Sequence, residues 1–351
     1  MPATLESAAL GMPVELGQIG RELKKLWERD SEVSTRASLI NFAVYCEGAA
    51  AMQANTELIM ELTREHACRA ILIGYEPGSD ETRIRAWINA HCHLSHAGAK
   101  QICCEQISFL FEGPTKDRIA NIVFSNLDSD LPLYFWWQGE FPDPIDEQLW
   151  AWVDRLIFDS QSWREPKQQF LLLEDSLARA RSRLTLCDLN WTRSLHMRQA
   201  LSQMFDHPEN LVILDDLDEV SIVHAPEYGF TALLLIGWLA AQLKLQLQHA
   251  DTNTFSFVGE NSHCTRFVLH SEPGRSVGRC NLRAPDGHVE VRRDVGGDFF
   301  RVEVRLPKAR VYHHLLPAGD NATSSLLLEE IGGGGQHKVY LKALAAAQKL
   351  L

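Results

Sequence analysis

The strongest constraint on this chain is an early change of period. SLINFAVYC (38–46) reads as a strand, Ala49 to Glu65 as a helix, and CRAILIGYE (68–76) as a β-rich apolar run stopped by Pro77-Gly78. This is a β-α-β pattern. From Thr82 to Leu94, Ile84, Ala86, Ile88, Ala90 and Cys92 alternate with Arg85, Trp87, Asn89, His91 and His93. That period of two predicts a half-buried strand. QICCEQISFLFE (101–112) follows as another strand, Lys116 to Ser125 as a helical stretch, and LPLYFWW (131–137) as an aromatic-rich strand. Strand–helix alternation with an antiparallel hairpin points to an α/β domain built on a mixed sheet. Ahead of it, Leu16, Ile19, Leu23 and Leu26/Trp27 recur at helical spacing within 14–29.

A chain of 351 residues exceeds one ordinary core, since domains usually hold roughly 100–200 residues. A helix near 145–153, a strand at RLIFDS (155–160) and a charged helix over 168–183 form a bridging section. We place the boundary in 161–166, giving domains 1–160 and 167–351. In the second, NWTRSLHMRQALSQMF (190–205) is helical, with Asp188 placed to accept the N–H groups of its first turn. EVSIVHA (219–225) is a strand, Tyr228 to Leu247 an apolar helix, 253–316 holds four or five β-like runs, and 337–350 is a final helix. This half is α+β, with helices and an antiparallel β-rich sheet.

The formal charge of -12 opposes attraction to phosphate backbones, so nucleic acid is not an expected partner. The apolar run Ala232 to Leu245 falls short of the ~20 residues that span a bilayer and contains Gln242 and Lys244. It reads as a buried helix, and no membrane partner is expected. The first residues carry acidic groups where an export signal needs a basic start. Eight cysteines without a regular spacing fit reduced thiols. The expected location is the cytoplasm.

No phosphate-cradling glycine motif, H-E-x-x-H or C-x-x-C occurs, and no cofactor is expected. Gly332–Gly335 precedes a helix but lacks the Lys and Ser/Thr of a phosphate loop, so a connector is the better reading. GRSVG (274–278) matches a nucleophile elbow by letters, yet lies among short β-like runs; Ser276 belongs to a glycine-bounded turn. His91-Cys92-His93, His96 and Cys103-Cys104 have the chemistry of metal ligands. On a strand only His91 and His93 share a face, so polar strand residues are the better account and no metal is assigned. Cys103 and Cys104 are redox candidates, with Cys46, Cys68 and Cys92 in the same domain, against the alternative of buried small apolar side chains. The aromatics of YFWW (134–137) suit either core or interface. Trp136 and Trp137 should face opposite sides, one buried and the other available.

Three stretches carry a resemblance. LPLYFWWQGEFPDP (131–144) has a Pro-containing strand ending in Trp136, Trp137, Gly139 and Glu140; EHACRAILIG (65–74) has His66, Cys68 and Arg69; DLNWTRSLHMRQAL (188–201) has Asp188, Trp191 and Arg193. Taken in chain order, they resemble the motifs of the OpcA family of glucose-6-phosphate dehydrogenase assembly proteins. The resemblance covers roughly 40–350. It implies a non-catalytic assembly factor and allosteric activator that binds glucose-6-phosphate dehydrogenase and promotes its active oligomeric state in the oxidative pentose phosphate pathway. It also implies redox modulation through thiols, a role Cys103-Cys104 could serve. Trp136, Trp137, Glu140 and Arg193 are the candidate partner contacts. The alternative is a sugar-phosphate enzyme or sensor, with Arg292 and Arg293 holding phosphate; the alternation in HVEVRRD (288–294) favours a solvated strand face for them.

Overall fold

A computed structural model describes residues 10–29, 34–94, 101–180, 184–260, 262–294, 297–307, 311–333 and 337–351. His96, Gly296, Gly334, Gly335 and 181–183 lie outside the described residues. The chain forms two compact units. One comprises the described residues of Met1–Cys187 and Leu327–Gly334, the other those of Asp188–Leu326 and Gly335–Leu351.

The first unit is built on nine strands among the described residues. They are β1 (Met12–Val14), β2 (Ser34–Arg36), β3 (Ile40–Glu47), β4 (Cys68–Glu76), β5 (Arg83–Leu94), β6 (Gln101–Glu112), β7 (Leu133–Trp137), β8 (Arg155–Phe158) and β9 (Thr185–Asp188). The order is β1-β5-β6-β4-β3-β7-β8-β9, with β2 paired to β6. β6, β4, β3, β7 and β8 run parallel; at one edge β5 is added antiparallel to β6, and β1 antiparallel to β5. Helices α1 (Ile19–Arg29), α2 (Ala49–Glu65), α3 (Ile119–Ser125) and α4 (Pro166–Ala180) accompany this sheet. The β3–α2–β4 crossover is the β-α-β unit read from the sequence, and its parallel strands are buried nearly throughout, hence the apolar runs.

The structure ends this unit at Cys187 rather than in 161–166. The reason is packing. Phe170 on α4 lies edge-on to Trp163 at 5.0 Å, and Trp150 Nε1 donates to Ser176 Oγ on the same helix at 2.8 Å. α4 therefore completes the first core.

The second unit holds β10 (Glu219–His224), β11 (Gln246–Ala250), β12 (Thr254–Val258), β13 (Cys264–Ser271), β14 (Val277–Ala284), β15 (Gly287–Arg293), β16 (Phe299–Arg305) and β17 (Tyr312–Pro317). Its sheet runs β11-β12-β13-β10-β14-β15-β16-β17 and is antiparallel except for β10–β13. Helices α5 (Leu195–Met204) and α6 (Gly229–Gln242) belong to it; α7 (Thr323–Gly332) and α8 (Lys338–Ala347) follow the sheet in sequence. The apolar helix is shorter than its hydropathy suggests. Lys244 adopts φ 54, a left-handed conformation that ends a helix, and β11 begins two residues later. α6 is instead buried by close approach: a Cβ on Gly237 would lie 2.3 Å from the carbonyl oxygen of Ala343 on α8.

Candidate functional site

The carboxyl ends of the parallel strands are where open α/β sheets usually bind ligands, at the point where strand order reverses. Here that point is β3, flanked by β4 and β7. Beside it lies a crevice of about 1080 Å³ lined by the start of α2 and the loop after β4. Three strands end in acid there: Glu47 on β3, Glu76 on β4 and Glu112 on β6. Arg85 grips Glu112 with two hydrogen bonds, at 2.9 and 3.0 Å. Gly48, with φ 84, leads into an uncapped α2, whose amides would favour an anion. Glu47 and Glu76 oppose one.

On one face of the same sheet sits a buried charge cluster. Glu105 on β6 is 2% exposed. It accepts from Trp27 Nε1 of α1 at 2.5 Å, and Arg36 Nε lies 3.1 Å and Arg69 Nη1 3.4 Å from its carboxylate. Arg69 Nε has no hydrogen-bond partner, and burial holds its guanidinium below the ordinary arginine range. Arg69 is thus an internal counter-charge. Cys92 and Cys103 occupy this face too. They are directly opposed on β5 and β6, with Cα atoms 4.1 Å apart, and form a disulfide.

The adjacent Cys104 points to the opposite face, because strand side chains alternate. It is a buried thiol near Cys68, and burial raises both thiols. Redox pairing therefore joins Cys103 to Cys92, and not to its neighbour in sequence. His91 and His93 also point to this second face. His91 Nε2 lies 2.7 Å from Gln106 Oε1, and His93 Nε2 is 3.1 Å from Thr63 Oγ1.

Both tryptophans of β7 are buried, at 5% for Trp136 and 2% for Trp137. This corrects the expectation that one would be available to a partner: a central parallel strand has covered faces on both sides. Trp137 stacks on Tyr45 at 3.9 Å and on Phe141 at 5.5 Å. Gly139 turns the chain at φ 84, its carbonyl accepting from Trp163 Nε1 at 3.1 Å, and exposed Glu140 accepts from the Arg164 amide at 2.8 Å. His66 caps α2 through its backbone amide.

In the second unit, Asp188 is fully buried. Its carboxylate accepts from the Asn190 amide at 3.0 Å, as its N-cap position predicts, and from the Tyr340 hydroxyl at 3.1 Å. Trp191 lies against Tyr340 and beneath Arg198, whose guanidinium carbon is 3.3 Å from the ring centroid. Arg193 is half-buried, 5.8 Å from the Tyr228 ring. Ser276 is 2% exposed and accepts from Asn321 Nδ2 at 2.8 Å, in a turn with no helix behind it. Arg292 and Arg293 face opposite sides of β15. Arg293 donates to the carbonyls of Gly297, Ala318 and Gly319, so the two cannot grip one phosphate.

These observations define a class: a two-unit protein, α/β then α+β, whose motif residues serve largely as internal supports. Residues 60–175 match the model described as glucose-6-phosphate dehydrogenase subunit N-terminal domain, and 184–344 the model of the corresponding C-terminal domain. The chain belongs to the OpcA family of glucose-6-phosphate dehydrogenase assembly proteins. It is 30% identical over 190 residues to the putative OxPP cycle protein OpcA of Nostoc punctiforme, covering 53% of this chain and 40% of the relative. With the Synechocystis protein of the same name it shares 25% over 186 residues, 52% of this chain and 38% of the relative. The matched part thus spans about two-fifths of those curated relatives. Among solved structures, biliverdin reductase from Synechocystis aligns over 89% of this chain and 98% of its own at 11% identity and TM-score 0.48. Aldose-aldose oxidoreductase from Caulobacter crescentus aligns over 89% and 96% at 12% identity and TM-score 0.46. At those values neither bears on activity.

Proposed function

We propose that this chain is a non-catalytic assembly factor and allosteric activator that binds glucose-6-phosphate dehydrogenase and favours its active oligomeric state. The observation that carries the reading is the family match across both units. The crevice supports it: where a dinucleotide enzyme would offer phosphate-binding groups, three parallel strands end in glutamate. An activator acts by binding the assembled state more tightly, and a tenfold shift requires only about 1.4 kcal/mol of differential binding.

Redox modulation belongs to the same proposal, with the Cys92–Cys103 disulfide as its element. Cys92 is exposed while Cys103 is buried, so a reductant reaches the bond from the Cys92 side. The test is co-purification with the same organism's glucose-6-phosphate dehydrogenase, then an activity titration with and without reductant. A complex with raised activity supports the reading. A reductant effect that is lost in Cys103→Ser and kept in Cys104→Ser assigns it to this disulfide. No complex and no kinetic effect in either condition overturns the function.

A further inference from the structure

The second sheet buries one face under helices and leaves the other to solvent. Cys280, Leu282, Val289, Val291, Val302 and Val304 on the inner face are at most 1% exposed. The outer face reads as three rows set by strand register. One row pairs Arg266, Glu219, Arg283, His288 and Arg305 across five strands. Its charges are mutually satisfied: Glu219 bridges Arg266 and Arg283, at 2.9 Å to the latter, and Glu303 from the next row takes Arg305 at 2.8 Å. That next row sets Asn281, Glu290 and Glu303 side by side, with His313 beyond.

The third row is different. Arg279 on β14 is directly opposite Arg292 on β15, which is directly opposite Arg301 on β16. Like charges directly opposed across strands destabilise a sheet, and neighbouring strands are only about 4.8 Å apart. Glu272 approaches Arg279 at 3.9 Å and Asp294 approaches Arg301 at 3.7 Å, each from the end of a strand. Arg292, between them, has no ion pair among the described residues. Leu315 stands opposite Arg301 at 62% exposure, and Phe299, two residues before Arg301 on the same face, is 49% exposed.

We infer that this arginine row, with Phe299 and Leu315, is the docking surface for an acidic face of the dehydrogenase, an inference that rests on the proposed function above. The row's charge calls for an acidic occupant, and the proposed function names the protein that would carry it. Across the three rows six arginines face three glutamates, in a chain whose formal charge is -12. The excess cation is concentrated where it costs stability, and a row of partner carboxylates would relieve it through charge-assisted forks. Interleaved glutamates and exposed apolar side chains make the surface a mosaic, the composition of a protein interface, where arginine and aromatic residues are enriched. A phosphate backbone would meet Glu219, Glu290 and Glu303.

The test measures affinity for the dehydrogenase at low and high salt for the native chain, Arg292→Glu and Arg301→Gln, alongside thermal unfolding of each. Native affinity should fall with salt. Arg292→Glu should weaken binding at least tenfold and Arg301→Gln several-fold, with unfolding temperatures unchanged or raised because repulsion is relieved. Native affinity in both variants overturns the docking surface and leaves the proposed function standing. No complex with the native chain overturns the function and this inference with it. An Arg292-dependent self-association in sedimentation, or Arg292-dependent binding of duplex DNA, also overturns it.

Discussion

Arg69 and Glu105 lie on neighbouring parallel strands, 3.4 Å apart, on the sheet face that carries the Cys92–Cys103 disulfide. Glu105 is almost completely buried, and its charge is met by Arg69, Arg36 and the Trp27 indole. Removing one member of a buried pair strands the other. Glu105→Ala should therefore cost about 3 kcal/mol, read as a lowered urea midpoint of the first unit. The double change Arg69→Met with Glu105→Leu should cost less. A single substitution no worse than a surface change would show that the cluster is solvated.

Trp137 is stacked between Tyr45 and Phe141 in a chain of rings that continues to Trp163 and Phe158. Trp137→Ala should cost about 3–5 kcal/mol and flatten the near-ultraviolet dichroism. Trp152, 61% exposed, supplies the contrast: Trp152→Ala should stay within about 0.5 kcal/mol. Equal losses would refute the core assignment.

His91 is held below the ordinary histidine pKa by burial, with its Gln106 contact acting the other way. The folded state then binds its proton less readily than the unfolded state. Its contribution is fully present above the unfolded pKa of about 6.5 and is lost as pH falls through that value toward the folded one. Stability measured from pH 7.5 to 5 should decline, and His91→Gln should make the decline shallower. An unchanged slope would remove His91 as the cause.

Gly237 and Gly20 are both helical glycines. Alanine normally gains about 0.5–1 kcal/mol at such positions. Gly20 has open space around it, so Gly20→Ala should raise the unfolding midpoint. At Gly237 the new Cβ would meet the Ala343 carbonyl at 2.3 Å and the Ala347 amide at 2.8 Å, so Gly237→Ala should lower it by several degrees. A gain at both sites would mean that α6 and α8 do not pack this closely.

Local chemistry was legible from residue order alone. The period of two in 82–94 and the apolar run 101–112 predicted strands, although Trp87 and His91 on the polar-reading face are buried and Cys92 on the other is exposed; Asp188 predicted an N-cap, and the three motifs led to the family. The second sheet was read too sparsely. Six strands, rather than four or five, fill 254–317, and β11, α7 and the short β1 and β2 gave no clear signal. Short edge strands and a helix that follows a loop take their form from the elements they pair with, which residue period does not record.

Other features belong to tertiary structure because they depend on which side chains meet across the sheet. Alternation showed that Trp136 and Trp137 point oppositely, but only covering layers decided that both are buried. Cysteine spacing made Cys103 and Cys104 equal redox candidates; register joined Cys103 to Cys92 and sent Cys104 to the other face. In sequence Arg279, Arg292 and Arg301 are scattered charges on three strands. Hydrogen-bond register alone brings them into one row, because pairing between strands is set by turns and core packing far from the arginines themselves.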